Sequence, residues 1–207
     1  MGGHMDFSHL EGYMDKIAGV EVLYQKAYEV SKLLSDKYSF VEVGSWRGGS
    51  AVAIMQAIKD SGSKRWLFTI DPYGSKPFHL GKKIIRGDHY HEEDYRHAMK
   101  FMSNYAFDNK INHCHFRMTF NDFLDIEHKF WYLGKEMDLT KIGFAYLDGE
   151  HTPDNVNLEF RFFDSIITNG GAIVIDDFPY WEGKYEKLDK LIHECPKDNF
   201  RVYYDKN

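Results

Sequence analysis

The sequence predicts an α/β protein of the Rossmann-like, doubly wound kind, with a mainly parallel sheet of six or seven strands and helices on both faces. Segments with apolar residues at helical spacing alternate with short β-branched and aromatic runs. One run, residues 171–175, is nearly all apolar, as expected of a parallel strand covered on both faces. Such alternation builds right-handed βαβ units in a single sheet.

The individual elements follow from the same periodicity. Apolar residues between positions 20 and 34 predict a first helix, which leads into a strand at residues 38–43. Further helices are predicted at residues 50–59, 92–105, 121–131, 154–167 and 184–194, and further strands at 65–70, 113–118, 142–147, 171–175 and 200–204. Residues 73–88 interrupt the pattern with Gly, Lys, His and a proline, which indicates a long functional loop such as a lid.

Length, composition and charge limit the kind of protein. The 207 residues, 43% of them hydrophobic, suit one domain at residues 6–207, preceded by a cloning remnant at residues 1–5. Neither a membrane-spanning stretch nor a signal sequence is evident, so we expect a cytoplasmic protein without a membrane partner. The net charge of −6 argues against a nucleic-acid partner and favours a small-molecule substrate.

A glycine-rich turn follows the first predicted strand and opens the next helix. Glycines let the backbone approach a ligand closely, and a helix start offers N–H groups and a positive dipole to an anionic group. Tight strand-to-helix turns also use glycine for structure alone. The candidate ligand-binding residues of this turn are Gly44, Ser45, Gly48, Gly49 and Ser50.

Two acids near this turn indicate what it binds. Asp71 ends the second predicted strand, where nucleoside-binding folds place an acid for the ribose hydroxyls; the alternative is a solvated aspartate in an Asp-Pro turn. Glu42 lies beside the same crevice, where a carboxylate would repel a pyrophosphate but suit an amino-bearing or cationic ligand. Asp71 thus indicates a nucleoside ligand, and Glu42 favours S-adenosylmethionine over a nicotinamide dinucleotide.

A second group of acids ends the fourth and fifth predicted strands. Strand ends of a parallel sheet lie on one side, so Asp148, Asp176 and Asp177 can converge beside the glycine turn. Three carboxylates so close would repel one another without a cation, and Mg²⁺ or another hard divalent ion suits them. Alternatively, Asp148 belongs to an Asp-Gly turn and the pair caps the following loop.

His151 follows at the mouth of this crevice. Its near-neutral pKa suits removal of a proton from a substrate hydroxyl, which makes it the candidate general base. A single histidine before a helix is also often only a cap or a surface residue.

Four motifs together resemble a known family. They are FVEVGSWRGGS at residues 40–50, IDPY at 70–73, YLDGEH at 146–151 and GGAIVIDD at 170–177. Across residues 38–178 the chain resembles the class I S-adenosylmethionine-dependent methyltransferases. It is most similar to the metal-dependent O-methyltransferase branch, with the macrocin and mycinamicin sugar methyltransferases and cephalosporin hydroxylase-like relatives, and more distantly to catechol O-methyltransferase.

The resemblance implies roles for particular residues. Asp148, itself also a cofactor contact, would hold magnesium with Asp176 and Asp177, while Asp71 would bind ribose. His151 stands where the sugar methyltransferases carry a histidine base. The segment beside adenine would include Thr119, Phe120 and Asn121, although many relatives have glycine at the position of Thr119.

The end of the chain departs from the family pattern. Members usually finish with a strand hairpin, whereas only one strand is predicted here after residue 184. A missing seventh strand would leave a sheet edge exposed, which could pair with a second copy of the chain.

These observations predict a magnesium-dependent O-methyltransferase acting on a hydroxyl of a sugar or diol. One alternative is a metal-dependent hydrolase of phosphate esters, in which Glu42 and Asp71 would have no role. The other is a protein that retains the cofactor-binding fold without methyl transfer.

Overall fold

A computed structural model describes residues 7–13, 20–73, 78–80, 83–85, 92–150, 152–176 and 201–203. Its helices are a 3-10 turn at Ser8–Leu10, α1 (Val20–Leu33), α2 (Gly49–Ser61), α3 (Glu92–Asn109), α4 (Phe120–Leu124) and α5 (Pro153–Ile166). Its strands are β1 (Ser39–Val43), β2 (Trp66–Ile70), β3 (Phe78–Leu80), β4 (Lys83–Ile85), β5 (Asn112–Phe116), β6 (Lys129–Tyr132), β7 (Lys135–Asp138), β8 (Ile142–Leu147), β9 (Ile167–Ile175) and β10 (Arg201–Tyr203). Within these ranges, no helix is both long and apolar enough to cross a bilayer.

Six strands form one sheet in the order β10, β9, β8, β1, β2, β5, and every neighbouring pair is parallel. The predicted Rossmann-like fold is therefore confirmed. From β1 the chain builds outward through β2 to β5, and it then continues on the other side of β1 with β8. The strand order thus reverses between β1 and β8. In open α/β sheets, ligands bind outside the carboxyl ends of the strands at such a point.

The sheet buries apolar residues on both faces because alternate strand residues point in opposite directions. One face packs Phe40 and Phe144 against α1, α2 and α3, while the other packs Val41 and Val43 against α4 and α5. Strand β1 is buried at all five positions although it contains Glu42. The centre of the sheet therefore carries a buried carboxyl group among mainly apolar neighbours on the same strand.

The helix predicted at residues 121–131 is wrong beyond its first turn. Helix α4 ends at Leu124, and β6 and β7 then pair as an antiparallel hairpin. Leu133 and Gly134 form its tight turn with φ values of 47° and 76°, the positive pair that suits a two-residue hairpin. Phe130 and Tyr132, two residues apart, face the aromatic side chains of the sheet, so a period of two competes with the helical pattern there.

The long loop predicted at residues 73–88 contains two short strands, β3 and β4, which pair antiparallel. The predicted helix at 184–194 and the aromatic segment at 178–181 lie outside the described residues. The strand predicted at 200–204 is present as β10, which lies parallel to β9 at the edge of the sheet.

Candidate active site

The register of the sheet brings the predicted acids to one edge. The last residues of five neighbouring strands are paired, so the residues that follow them stand side by side. In sheet order these are Asp176, Asp148, Gly44, Asp71 and Arg117. Backbone bonds extend the pairing by one residue: the Asp148 N–H donates to the Val43 carbonyl at 2.8 Å and the Asp176 N–H donates to the Leu147 carbonyl at 2.9 Å.

Gly44 allows the ends of β1 and β8 to approach closely. Its φ is 84°, and a Cβ built there would lie 1.9 Å from the Asp148 carbonyl oxygen. No side chain larger than hydrogen fits at this position. The glycine therefore sets the distance between the nucleoside side and the acidic side of the predicted crevice.

The start of α2 differs in one respect from the prediction of free N–H groups. Gly48 precedes the helix with a φ of 88°, and a Cβ built there would lie 2.7 Å from the side chain of Met102 in α3. The N–H of Gly49, however, donates to the carbonyl of Tyr13 at 3.1 Å. The chain near residue 13 therefore covers part of the helix start, and this amide is not open to a ligand.

Asp71 is buried, which excludes the alternative of a solvated turn aspartate. Its Oδ2 accepts from the N–H groups of Ser45 and Trp46, both at 2.9 Å, and its Oδ1 accepts from the N–H of Tyr73 at 2.9 Å. Burial raises the pKa of Asp71, and these three bonds oppose the rise. The carboxylate thus ties the glycine turn to the end of β2. Its contact with ribose stays a prediction.

Glu42 is fully buried beside this turn, and neither of its carboxyl oxygens has a hydrogen-bond partner in the described ranges. Burial raises the pKa of Glu42 to about 8, and the charges of Asp148 and Asp71 add to the rise. The nearby hydroxyls of Ser50 and Ser45 oppose it, although neither forms a hydrogen bond with the carboxyl group. A buried polar group without a partner is costly and calls for an explanation. A ligand that donates hydrogen bonds or carries positive charge would supply one.

Asp148 and Asp176 share a neighbour that sequence reasoning missed. The Tyr146 hydroxyl donates to Asp148 Oδ2 at 3.4 Å, and burial together with the charges of Asp148, Asp176 and Glu42 raises the pKa of Tyr146 well above its usual value. The signal was present, because Tyr146 precedes Asp148 by two residues and so points to the same face of β8.

Asp177, the third predicted cation ligand, lies outside the described residues, and so does the candidate base His151. Among the residues that the structure does describe, no group of three or more His, Cys, Asp or Glu side chains could hold a metal ion. The geometry therefore brings two of the three predicted carboxylates to neighbouring strand ends.

The predicted adenine segment has clear structural roles. Thr119 caps α4 through a reciprocal pair of bonds with Asp122, its hydroxyl accepting from the Asp122 N–H at 3.1 Å. Phe120 packs against Phe123 and Phe163, and Asn121 is exposed. Whether any of them contacts adenine stays a prediction.

Two further side chains near the site had no clear sequence signal. Arg117 donates from Nη2 both to the Tyr73 carbonyl at 3.3 Å and to Glu92 Oε2 at 2.5 Å. Glu159 of α5 is buried beneath Gly149. This burial and, to a smaller extent, the negative charge of Asp148 raise the pKa of its carboxyl well above the usual value. Both contacts depend on packing between distant elements.

The sequence profile of a family described as a methyltransferase domain matches residues 41–178. The chain belongs to this methyltransferase family. The matched range includes Glu42, the glycine turn, Asp71 and both strand ends that carry acids. Membership implies S-adenosylmethionine as the methyl donor.

Other comparisons add no functional information. No curated protein matches the chain. Among solved structures, apo diaminopropionate ammonia lyase from Escherichia coli is similar with a TM-score of 0.25 and 10% identity, over 96% of this chain and 50% of the other. The chain thus spans about half the length of that enzyme, and the likeness is too weak to carry an argument.

Proposed function

We propose that this methyltransferase-family protein transfers a methyl group from S-adenosylmethionine to a hydroxyl of a small molecule such as a sugar or diol, with the help of a divalent cation. The observation that carries the proposal is Glu42, a fully buried carboxyl with two unpartnered oxygens at the strand-order reversal. An amino-bearing ligand can donate hydrogen bonds to these two oxygens, whereas the oxygens of a phosphate ester only accept them.

The residues around Glu42 fit a nucleoside that carries an amino acid. The turn lacks a side chain at Gly44, where a Cβ would clash with backbone, and Asp71 holds the amides of Ser45 and Trp46 in place. A pre-formed turn binds its ligand without a further ordering cost.

The acids at the ends of β8 and β9 fit a hard cation in the chemistry of their donors. Asp148 and Asp176 offer carboxylate oxygens from neighbouring strands, and Asp177 is next in the sequence. Magnesium binds through one or two carboxylates and retains several waters, so a small protein donor set is sufficient.

S-adenosylmethionine supplies an electrophilic methyl group when bound, and a divalent cation lowers the pKa of a nearby hydroxyl. In this proposal the chain supplies position: Glu42 and the turn fix the donor, and Asp148 and Asp176 fix the acceptor side. Tyr146 orients Asp148 through its hydroxyl. His151 removes the acceptor's proton. Holding two reactants in register accounts for much of the rate of such transfers.

Asp176→Asn and Glu42→Gln should separate the two halves of the site. We expect Asp176→Asn to lose at least 10-fold in Mg²⁺-dependent methyl transfer to a panel of sugars and diols, while binding of S-adenosylhomocysteine in calorimetry changes less than about 2-fold. Glu42→Gln should weaken that binding about 10-fold or more, because a charge-assisted bond is lost.

Asp108→Asn, an exposed substitution on α3, is the matched control and should change neither quantity. If methyl transfer by the wild type continues unchanged in excess chelator, the proposed dependence on a divalent cation is contradicted. If S-adenosylhomocysteine does not bind to the wild type, the proposed use of S-adenosylmethionine as the cofactor is contradicted.

A further inference from the structure

We propose that Tyr73 binds the amino-acid head of the cofactor. Its hydroxyl and that of Ser45 would meet the α-carboxylate, while Glu42 accepts hydrogen bonds from the α-ammonium. This inference rests on the proposed use of S-adenosylmethionine and gives Tyr73, the last residue of the IDPY motif, a role that the sequence alone did not indicate.

Within the described part of the chain, four buried polar atoms near the glycine turn lack hydrogen-bond partners: the Tyr73 hydroxyl, the Ser45 hydroxyl and both carboxyl oxygens of Glu42. The residues that carry them are 1%, 2% and 0% exposed, respectively. Most buried polar groups in proteins are paired, so a cluster of unpaired ones suggests a missing partner. Water does not reach these four atoms in the folded chain. The groups that shield them must therefore move when a ligand binds.

Backbone contacts and electrostatic interactions place the residues that carry these atoms near one another. One carboxylate, that of Asp71, accepts from the backbone N–H groups of both Ser45 and Tyr73 at 2.9 Å. Burial and the charges of Asp71 and Glu42 raise the pKa of Tyr73, and the Ser45 hydroxyl opposes the rise without completing a bond. Tyr73 therefore lies within interaction range of the same groups that surround the turn.

The position of the Tyr73 hydroxyl is fixed at a conformational cost. Tyr73 has a backbone φ of 43°, a value that residues other than glycine rarely adopt. The Asp71 carboxylate holds its N–H, Arg117 holds its carbonyl at 3.3 Å, and its ring packs 5.2 Å from that of Tyr95. Such strain persists only where the surroundings enforce it, and it is common at ligand sites.

The arrangement is complementary to a zwitterion. Glu42 offers acceptors to an ammonium, and the two hydroxyls offer donors to a carboxylate. The charge of Asp71 is already met by three N–H groups, so it opposes an anionic partner less than a free carboxylate would. The start of α2 adds a positive dipole nearby.

Tyr73→Phe tests the assignment with two probes, S-adenosylhomocysteine and 5′-methylthioadenosine, which lacks the amino-acid head. We expect affinity for the first to fall about 10-fold or more and affinity for the second to change less than about 2-fold, both by calorimetry. Ser45→Ala should show the same selectivity. Equal losses for both probes, or no loss for the first, would overturn the proposal.

Thermal unfolding without ligand gives an independent readout. Because the Tyr73 hydroxyl has no hydrogen-bond partner among the residues that the structure describes, Tyr73→Phe should leave the Tm unchanged or raise it. In the matched control, Tyr24→Phe removes a hydroxyl that donates to Asp60 at 3.0 Å, so the Tm should fall by about 2–4 °C with no change in affinity.

A lowered Tm for Tyr73→Phe would mean that its hydroxyl has a structural partner, and the assignment would fail. If the wild type binds neither probe, the proposed function fails instead, and the two failures are thus distinguishable.

Discussion

Glu42 occupies a position at which an apolar side chain would stabilise the sheet. It is the one charged residue of a strand whose five positions are all buried, and its carboxyl oxygens are unpaired. Burying a carboxyl group without a hydrogen-bond partner is costly, and ionising it there costs still more. A residue that lowers stability in this way is best explained by what it binds.

The raised pKa of Glu42 predicts a specific pH dependence of stability. With a pKa of about 8, Glu42 keeps its proton in the folded protein up to about pH 8, whereas the unfolded chain releases it near the ordinary pKa of 4.5. Between these values the folded state binds more protons, so the contribution of Glu42 to the free energy of unfolding falls as pH rises. Glu42→Gln should therefore stabilise the protein at pH 8 by on the order of a few kcal/mol.

Urea denaturation of wild type and Glu42→Gln from pH 4 to pH 9 measures this difference. The gap between the two curves should widen with rising pH and close near pH 4. A constant gap would show that Glu42 stays ionised in the fold.

Two glycines with similar backbone angles should respond very differently to alanine. Gly44 and Gly134 have φ values of 84° and 76°, but a Cβ would clash with backbone only at Gly44. Gly134→Ala should cost about 1 kcal/mol, the backbone penalty alone. Gly44→Ala should cost at least about 3 kcal/mol or prevent folding, and equal costs in urea denaturation would contradict the close approach.

At the scale of elements, Asp71 connects the turn after β1 to the end of β2. Asp71→Asn removes one acceptor oxygen of a buried group that serves three N–H donors. We expect a loss of roughly 1–3 kcal/mol in stability and faster hydrogen exchange at the amides of Ser45 and Trp46. Asp108→Asn is again the exposed control. Unchanged exchange at these amides would mean that other contacts hold the turn.

The sheet and most helices were predictable because each carries a regular apolar period. The same logic predicted that Asp71, Asp148 and Asp176 gather at one edge, since parallel strands end on the same side. The hairpin after Leu124 was not predicted, because its aromatic residues fit a helix as well as a strand. The three N–H bonds to the Asp71 carboxylate and the burial of Glu159 were not predictable, because they depend on how the chain packs in three dimensions.

At the scale of the whole molecule, residues near the start of the described chain support the site. Leu10 is fully buried in the core between the sheet and α1, α2 and α3, and the Tyr13 carbonyl accepts from Gly49 at the start of α2. Leu10→Ala should cost about 2–5 kcal/mol and increase hydrogen exchange at the Gly49 amide. Leu33→Ala, at 69% exposure, is the control and should cost less than about 0.5 kcal/mol.

Pairing of a second copy through the edge strand stays a prediction. Strand β10 lies at the end of the described sheet, with β9 on one side. An open edge offers unpaired backbone groups to another strand.

Arg117 has a consequence for how the region between β2 and α3 can vary. Its guanidinium holds the Tyr73 carbonyl, where that region leaves the sheet, and the Glu92 carboxylate, where the chain returns in α3. One side chain thus fixes both ends of the insertion. Segments of other lengths and compositions could therefore be grafted between these two anchors while the sheet that carries them stays the same.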